Sequence, residues 1–340
     1  MPTTYAIPDG RVAMAATLYT GNGTQRNITN AVNGVSFQPN LVWVKGRSNA
    51  QNHFLFDTNR GASVFLQSNT TIAEFTSGDT VNAFNSDGFA VGTSTDLNNN
   101  AYTYVGWQWK AGGTAVSNTA GSITSSVSAN TTAGFSVVTY TGTGANATVG
   151  HGLGVAPSMV IVKNRGAGNA WDIYTAMTGA NAYLSFTTAA VASGLFPSVA
   201  TSSVFSITGG AGGQGASGGT YVAYCFAPIA GYSAFGSYTG NGSTDGPFVY
   251  TNFRPRYLLV KRTDSAVSWI VIDTSRNPNN VSNFSLLPNG ANAEITSSTE
   301  TDILSNGFKI RTTDVSLNAS GGTYIYYAVA ENPFKYSSAR

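Results

Sequence analysis

The residues best suited to chemistry are few. Between Phe135 and Gly231 the only carboxylate is Asp172, so that stretch lacks the acid pair on which most glycoside hydrolysis depends. Asp57 and Asp273 sit in matching strand-like contexts, each followed three residues later by an arginine, Arg60 and Arg276; the corresponding positions between them are Thr175 and Thr178. A pair kept twice and lost once reads as an ion pair at a strand end, contributing about 0–1 kcal/mol if it lies at the surface; a shared binding site is the sharper alternative. The two histidines, His53 and His151, have no cysteine or acidic partners at metal-ligand spacing, whereas zinc takes three or four such ligands. His53 aligns with Trp269, which argues for a strand residue.

Gly210-Ala211-Gly212-Gly213-Gln214-Gly215 satisfies the dinucleotide-loop pattern in letters only. A pyrophosphate loop must open a helix, and this one leads into Thr220-Tyr221-Val222, a strand. It reads as a loop tip. No other nucleotide, hydrolase or metalloprotease motif occurs, and no catalytic residue, cofactor site or metal site is assigned. Binding residues remain unassigned too, and bound calcium stays open.

The elements that would position these residues come from a phrase used three times: Tyr19-Thr20-Gly21-Asn22-Gly23, Tyr140-Thr141-Gly142-Thr143-Gly144 and Tyr238-Thr239-Gly240-Asn241-Gly242. Each is followed by a proline-led apolar run ending in lysine (Pro39–Lys45, Pro157–Lys163, Pro255–Lys261), then by a strand beginning at Tyr104, Tyr221 or Tyr324. Recurrence at about a hundred residues signals a tandem triplication of small domains. Lys45, Lys163 and Lys261 are expected to end a buried strand and reach water along their aliphatic stems, with a common ligand site as the alternative. Period-2 patterns, continuous β-branched runs and Asp-Gly or Asn-Gly turns at Asp87-Gly88 and Asn306-Gly307 predict short strands throughout and no convincing helix.

The expected architecture is all-β, with three tandem β-sandwich (lectin- or jelly-roll-like) repeats of roughly a hundred residues. Its divisions are an N-terminal arm over 1–10, repeats over 11–111 and 135–231, and a third over 232–340 that includes a short polar tail. Residues 112–134, rich in Ser, Thr and Gly, read as a linker, although Ile123 and Val127 could pack along a sheet edge. Of the aromatics, Trp107 and Trp109 share a strand face, as do Tyr102 and Tyr104; core packing is the leading reading, with stacking on sugars or partner chains as the alternative. Cys225 reads as a small core residue, and as the single cysteine it rules out a disulfide within the chain.

Composition narrows the function classes. Only 9% of the 340 residues are charged, against about 25% in an average domain, and the net charge of +2 has no clustering behind it. A nucleic-acid partner is not expected, nor is a membrane span. The start, MPTTYAIPDGR, has no secretory signature, so synthesis in a cytosol is expected.

Several segments resemble a family of tandem-repeat structural proteins of tailed bacteriophages, especially those of marine bacteria and cyanobacteria. They are Ser122 through Tyr140-Thr141-Gly142-Thr143-Gly144 to Gly150–Pro157 and Val160–Arg165, then Phe235–Gly242, then Ala330–Tyr336. The resemblance covers nearly the whole chain from about residue 11 and carries no catalytic residues. It implies concanavalin-type repeats in a virion component. The expected role is a non-enzymatic protein on the particle surface, in a tail fibre or spike or as a capsid decoration. Its partners would be other virion proteins. A carbohydrate-binding module for host surface glycans is the alternative, and a glycan-cleaving spike a weaker one. Three similar units allow either a pseudo-threefold monomer or a homotrimer of whole chains.

Overall fold

A computed structural model describes residues 6–210 and 213–331. The chain is all-β, with several antiparallel sheets; among the described residues its helical content is limited to short turns such as Thr95–Asn98 and Val315–Asn318. Residues 1–5 of the expected arm, 211–212 of the glycine-rich loop, and Asn332–Tyr336 with the rest of the polar tail lie outside the described residues. Of the arm's remainder, Ile7 is buried and Gly10–Val12 forms a 3-10 turn.

Three large sheets dominate. In the first, strands run in the order Met14–Thr20, Thr103–Trp109, Leu41–Gly46, His53–Asp57, extended by Val64–Gln67 and Phe75–Thr76. The second has Phe135–Thr141, Thr220–Phe226, Met159–Asn164, Asp172–Thr175 in the same relative places. The third has Ser233–Thr239, Thr323–Ala330, Pro255–Arg262, Ile270–Asp273. The lysine-ended runs are therefore inner strands, which explains why they are apolar on both faces.

Those two faces serve different cores. Val42, Val44, Phe54 and Phe56 turn toward a small sheet (Arg26–Thr29, Gly88–Val91, Val81–Asn85) across an apolar cluster that includes Ile28, Val81, Phe89 and Val91. Leu41, Trp43 and Leu55, one residue out of phase, turn the other way, as the two-residue period of a strand requires. The second and third large sheets each bury one face in a cluster of their own. The opposite faces of all three meet in one central cluster containing Trp43, Trp107, Trp109, Phe135, Trp171, Tyr224, Phe226, Tyr257, Trp269 and Tyr327.

Its aromatic rings meet largely edge to face, the arrangement their quadrupoles favour. Trp107 and Trp109 of the first sheet lie 5.9 and 5.5 Å from Tyr257 of the third, and Phe226 of the second lies 5.2 Å from Tyr327 of the third.

The stretch 112–134 lies along the edge of the second sheet. Val116–Asn118 and Ser125–Asn130 pair in sequence onto Phe135–Thr141, and Ile123 and Val127 are buried. Its polar composition reflects an edge strand rather than a loose linker.

The repeated phrase earns its two glycines separately. A Cβ on the first would strike backbone: Asn99 O at 2.0 Å from Gly21, Ala216 O at 2.4 Å from Gly142, Ala319 O at 2.3 Å from Gly240. The second (Gly23, Gly144, Gly242) has φ of +70°, +88° and +70°, a left-handed backbone that glycine adopts without steric cost.

Candidate functional site

The recurring polar residues gather at the junctions between the large sheets. Lys45, Lys163 and Lys261 are fully buried; they do not surface, because a neighbouring sheet's loop occupies the space where water was expected. Lys163 Nζ donates to Thr71 O (3.0 Å), Lys45 Nζ to Ala291 O (3.3 Å) and Lys261 Nζ to Thr188 O (3.1 Å). The second sheet thus reaches the first, the first reaches the third, and the third reaches the second. Burial pushes all three ammonium groups down to about 8.

Two more contacts follow the same cycle. Glu74 N donates to Arg165 O at 2.7 Å, Glu294 N to Arg47 O at 2.8 Å, and Val191 N to Thr263 O at 2.9 Å. Trp171 Nε1 donates to Gln67 O at 2.8 Å and Trp269 Nε1 to Ser185 O at 2.7 Å. The matching place in the first sheet is taken by His53, whose Nδ1 accepts from Trp43 Nε1 at 2.9 Å. Burial and the nearby Lys45 hold that imidazole well below its ordinary range. His151 is also buried, with Nε2 3.0 Å from Thr201 O.

The Asp–Arg pairs lie in the same junctions and are not surface pairs. Arg60 Nε meets Asp57 Oδ2 at 2.5 Å and Arg276 Nε meets Asp273 Oδ2 at 2.5 Å, all four side chains fully enclosed. Each arginine also donates along its own strand, to Leu55 O and Val271 O at 2.8 Å. Each aspartate accepts from the next sheet: Tyr224 Oη–H to Asp57 at 2.8 Å, and Trp107 Nε1–H to Asp273 at 2.9 Å. Glu74 bridges Arg60 (3.1 Å) and Arg165 (2.8 Å); Glu294 bridges Arg276 (3.0 Å) and Arg47 (2.7 Å). Burial works against the Arg60 charge, and Asp57, Tyr224 and Glu74 outweigh it, holding the guanidinium above its ordinary value. A buried pair of this kind adds little net stability over a well-packed apolar pair, but removing one partner leaves a costly buried charge.

The third junction, between the second and third sheets, has none of these ion pairs among the described residues. Thr175, Thr178, Val191 and Thr263 stand at the positions where the others have Asp, Arg, Glu and Arg, and of these Val191 and Thr263 meet through their backbones. Thr175 and Thr178 bond each other at 3.0 Å. Tyr327, in the position of Trp107 and Tyr224, stands 3.3 Å from Trp109 Nε1 and accepts its hydrogen. The charged set is absent from both sides of this junction; one member left alone there would be a buried unpaired charge.

The remaining sequence candidates separate. Trp107, Trp109 and Tyr104 are core, while Tyr102 is exposed. Cys225 is buried, and its thiol is pushed up to about 12 by burial. Gln214, in the glycine-rich loop, is fully buried. Asp172 lines a cavity of about 250 Å³. Among the described residues no cluster of three His, Cys, Asp or Glu side chains is placed to hold a metal.

No curated protein matches the sequence. A family model described as a domain of unknown function (DUF7483) matches residues 12–333, a span that takes in all three large sheets, their junctions and the central cluster; the chain belongs to that family.

Proposed function

We propose that this is a non-enzymatic structural protein of a tailed-phage particle, made in the host cytosol and carried on the virion surface in a fibre, a spike or a capsid decoration. In this reading residues 11–111, 135–231 and 232–340 are three β-sandwich repeats, closed about a pseudo-threefold axis through the central aromatic cluster. One chain then does the work of a trimer of single domains.

The observation that carries the reading is the cyclic set of lysine–carbonyl bonds, Lys163 to Thr71, Lys45 to Ala291 and Lys261 to Thr188. A row of domains would leave its two ends unpaired, whereas a cycle of three has no free end. The acids of the first and third sheets support a structural role, because Asp57, Glu74, Asp273 and Glu294 are engaged by arginines. The phage setting rests on the resemblance of the repeat segments. It is tested by immuno-gold labelling of intact particles with antibody to the recombinant chain. Label on head, tail or fibre supports the reading, and unlabelled particles that also lack the chain by mass spectrometry overturn it.

A further inference from the structure

Asp172 breaks the apolar pattern at one register position. Strand pairing sets Val162 opposite Asp172, Val44 opposite Phe54 and Val260 opposite Ile270. Phe54 and Ile270 are buried core residues, and Phe54 packs 5.2 Å from Phe65. In the second sheet the same place holds a half-buried carboxylate facing the cavity, with no salt bridge to it among the described residues. Burial pushes the Asp172 carboxyl up to about 7, against the smaller opposing pull of the Gln214 amide and the Lys163 ammonium, and Gln214 Nε2 itself is buried without a hydrogen-bond partner among the described residues. Removing a carboxylate from water without a full set of partners is costly, and two sister positions show that the scaffold accepts an apolar side chain there.

We propose that this cavity binds one residue of a neutral saccharide through its vicinal hydroxyls, with Asp172 as the central acceptor. Asn169, Tyr183, Ser185 and Ser193 line the same space, offering an amide, hydroxyls and an aromatic ring, the mixture that suits a polyol. Lys163 Nζ donates to Asn169 O at 2.7 Å and fixes the loop that presents Asn169. An anion would find no cationic side chain in the lining. A cation would find a single carboxylate, one that burial already holds up at about 7. The site does not depend on where the protein sits on a particle, so the labelling experiment and this one can fail separately.

The test is saturation-transfer NMR on the full chain with D-glucose, D-galactose and N-acetyl-D-glucosamine as probes, on wild type, Asp172→Ile and Asp172→Asn. At least one sugar is expected to bind saturably to wild type. The Asp172→Ile protein, carrying the third sheet's residue, is expected to bind it at least roughly tenfold more weakly, with an unchanged or higher unfolding midpoint. Asp172→Asn keeps the shape and removes the charge, and is expected to weaken binding several-fold. No saturable binding of any probe to wild type overturns the proposal, as does wild-type affinity in the isoleucine protein. If that protein does not fold, undiminished binding by the asparagine protein overturns it.

Discussion

Trp107 Nε1–H donates to Asp273 Oδ2 at 2.9 Å across 166 positions of sequence, and the same aspartate is held by Arg276. One side chain thus joins the last strand of the first sheet to the ion pair of the third. Tyr224 and Asp57 repeat the relationship between the second sheet and the first.

Replacing Asp273 or Asp57 by alanine strands a buried guanidinium and an aromatic donor. Each variant is expected to lose about 3–5 kcal/mol. Thr175→Ala, at the junction without the Asp–Arg–Glu set, is expected to lose only about 0.5–1.5 kcal/mol. Urea unfolding of the three proteins side by side checks the ranking.

The buried lysines give stability a distinctive pH dependence. Their folded values of about 8 lie below the ordinary 10.5, so between those values the unfolded chain binds more protons and stability rises with pH. Tyr140, Tyr224 and Tyr257 are displaced upward by burial. Above the ordinary 10 the folded state therefore holds more protons, and stability falls. The urea midpoint is expected to climb from pH 8 to pH 9.5 and to drop beyond pH 10.5. A flat profile would show that these groups are not buried together as described.

Substituting Lys163 by methionine keeps the stem and removes the donor shared by Thr71 O, Ala167 O and Asn169 O. Each buried carbonyl left unpaired costs about 1–3 kcal/mol. The loss is expected to appear with faster hydrogen exchange in the 69–72 and 167–169 segments, which the ammonium ties together.

The two glycines of the repeated phrase are expected to fail for different reasons. Gly21→Ala pushes a methyl into Asn99 O and should cost about 1–3 kcal/mol through backbone displacement. Gly23→Ala meets open space and should cost only the roughly 1–2 kcal/mol of a left-handed L-residue. Thermal unfolding measures both losses, and only Gly21→Ala is expected to shift the backbone amide signals around Asn99.

Much of this was legible in the sequence. The phrase at Tyr19, Tyr140 and Tyr238 marks the strand that pairs with the tyrosine-led strand in each large sheet, and the Asp87-Gly88 and Asn306-Gly307 turns do close hairpins. Hidden was the second face. A strand such as Leu41–Gly46 reads as buried whatever covers it, so nothing local told that its outer side meets two other sheets. For the same reason Lys45 and Asp57 read as surface residues: the groups that enclose them lie more than 160 positions away. Asp172 stood out as a lone carboxylate. Counting from Lys163 would have aligned it with Phe54 and Ile270, and that mismatch was the available signal for the cavity.

The cyclic closure of three units within one chain is tested most directly by the solution mass of the intact protein at virion-like salt. Sedimentation equilibrium is expected to give a single species at the chain mass of 35.3 kDa, because the junction surfaces are already paired within the chain. A stable species three times heavier, persisting on dilution, would contradict it and assign the threefold contacts to separate chains.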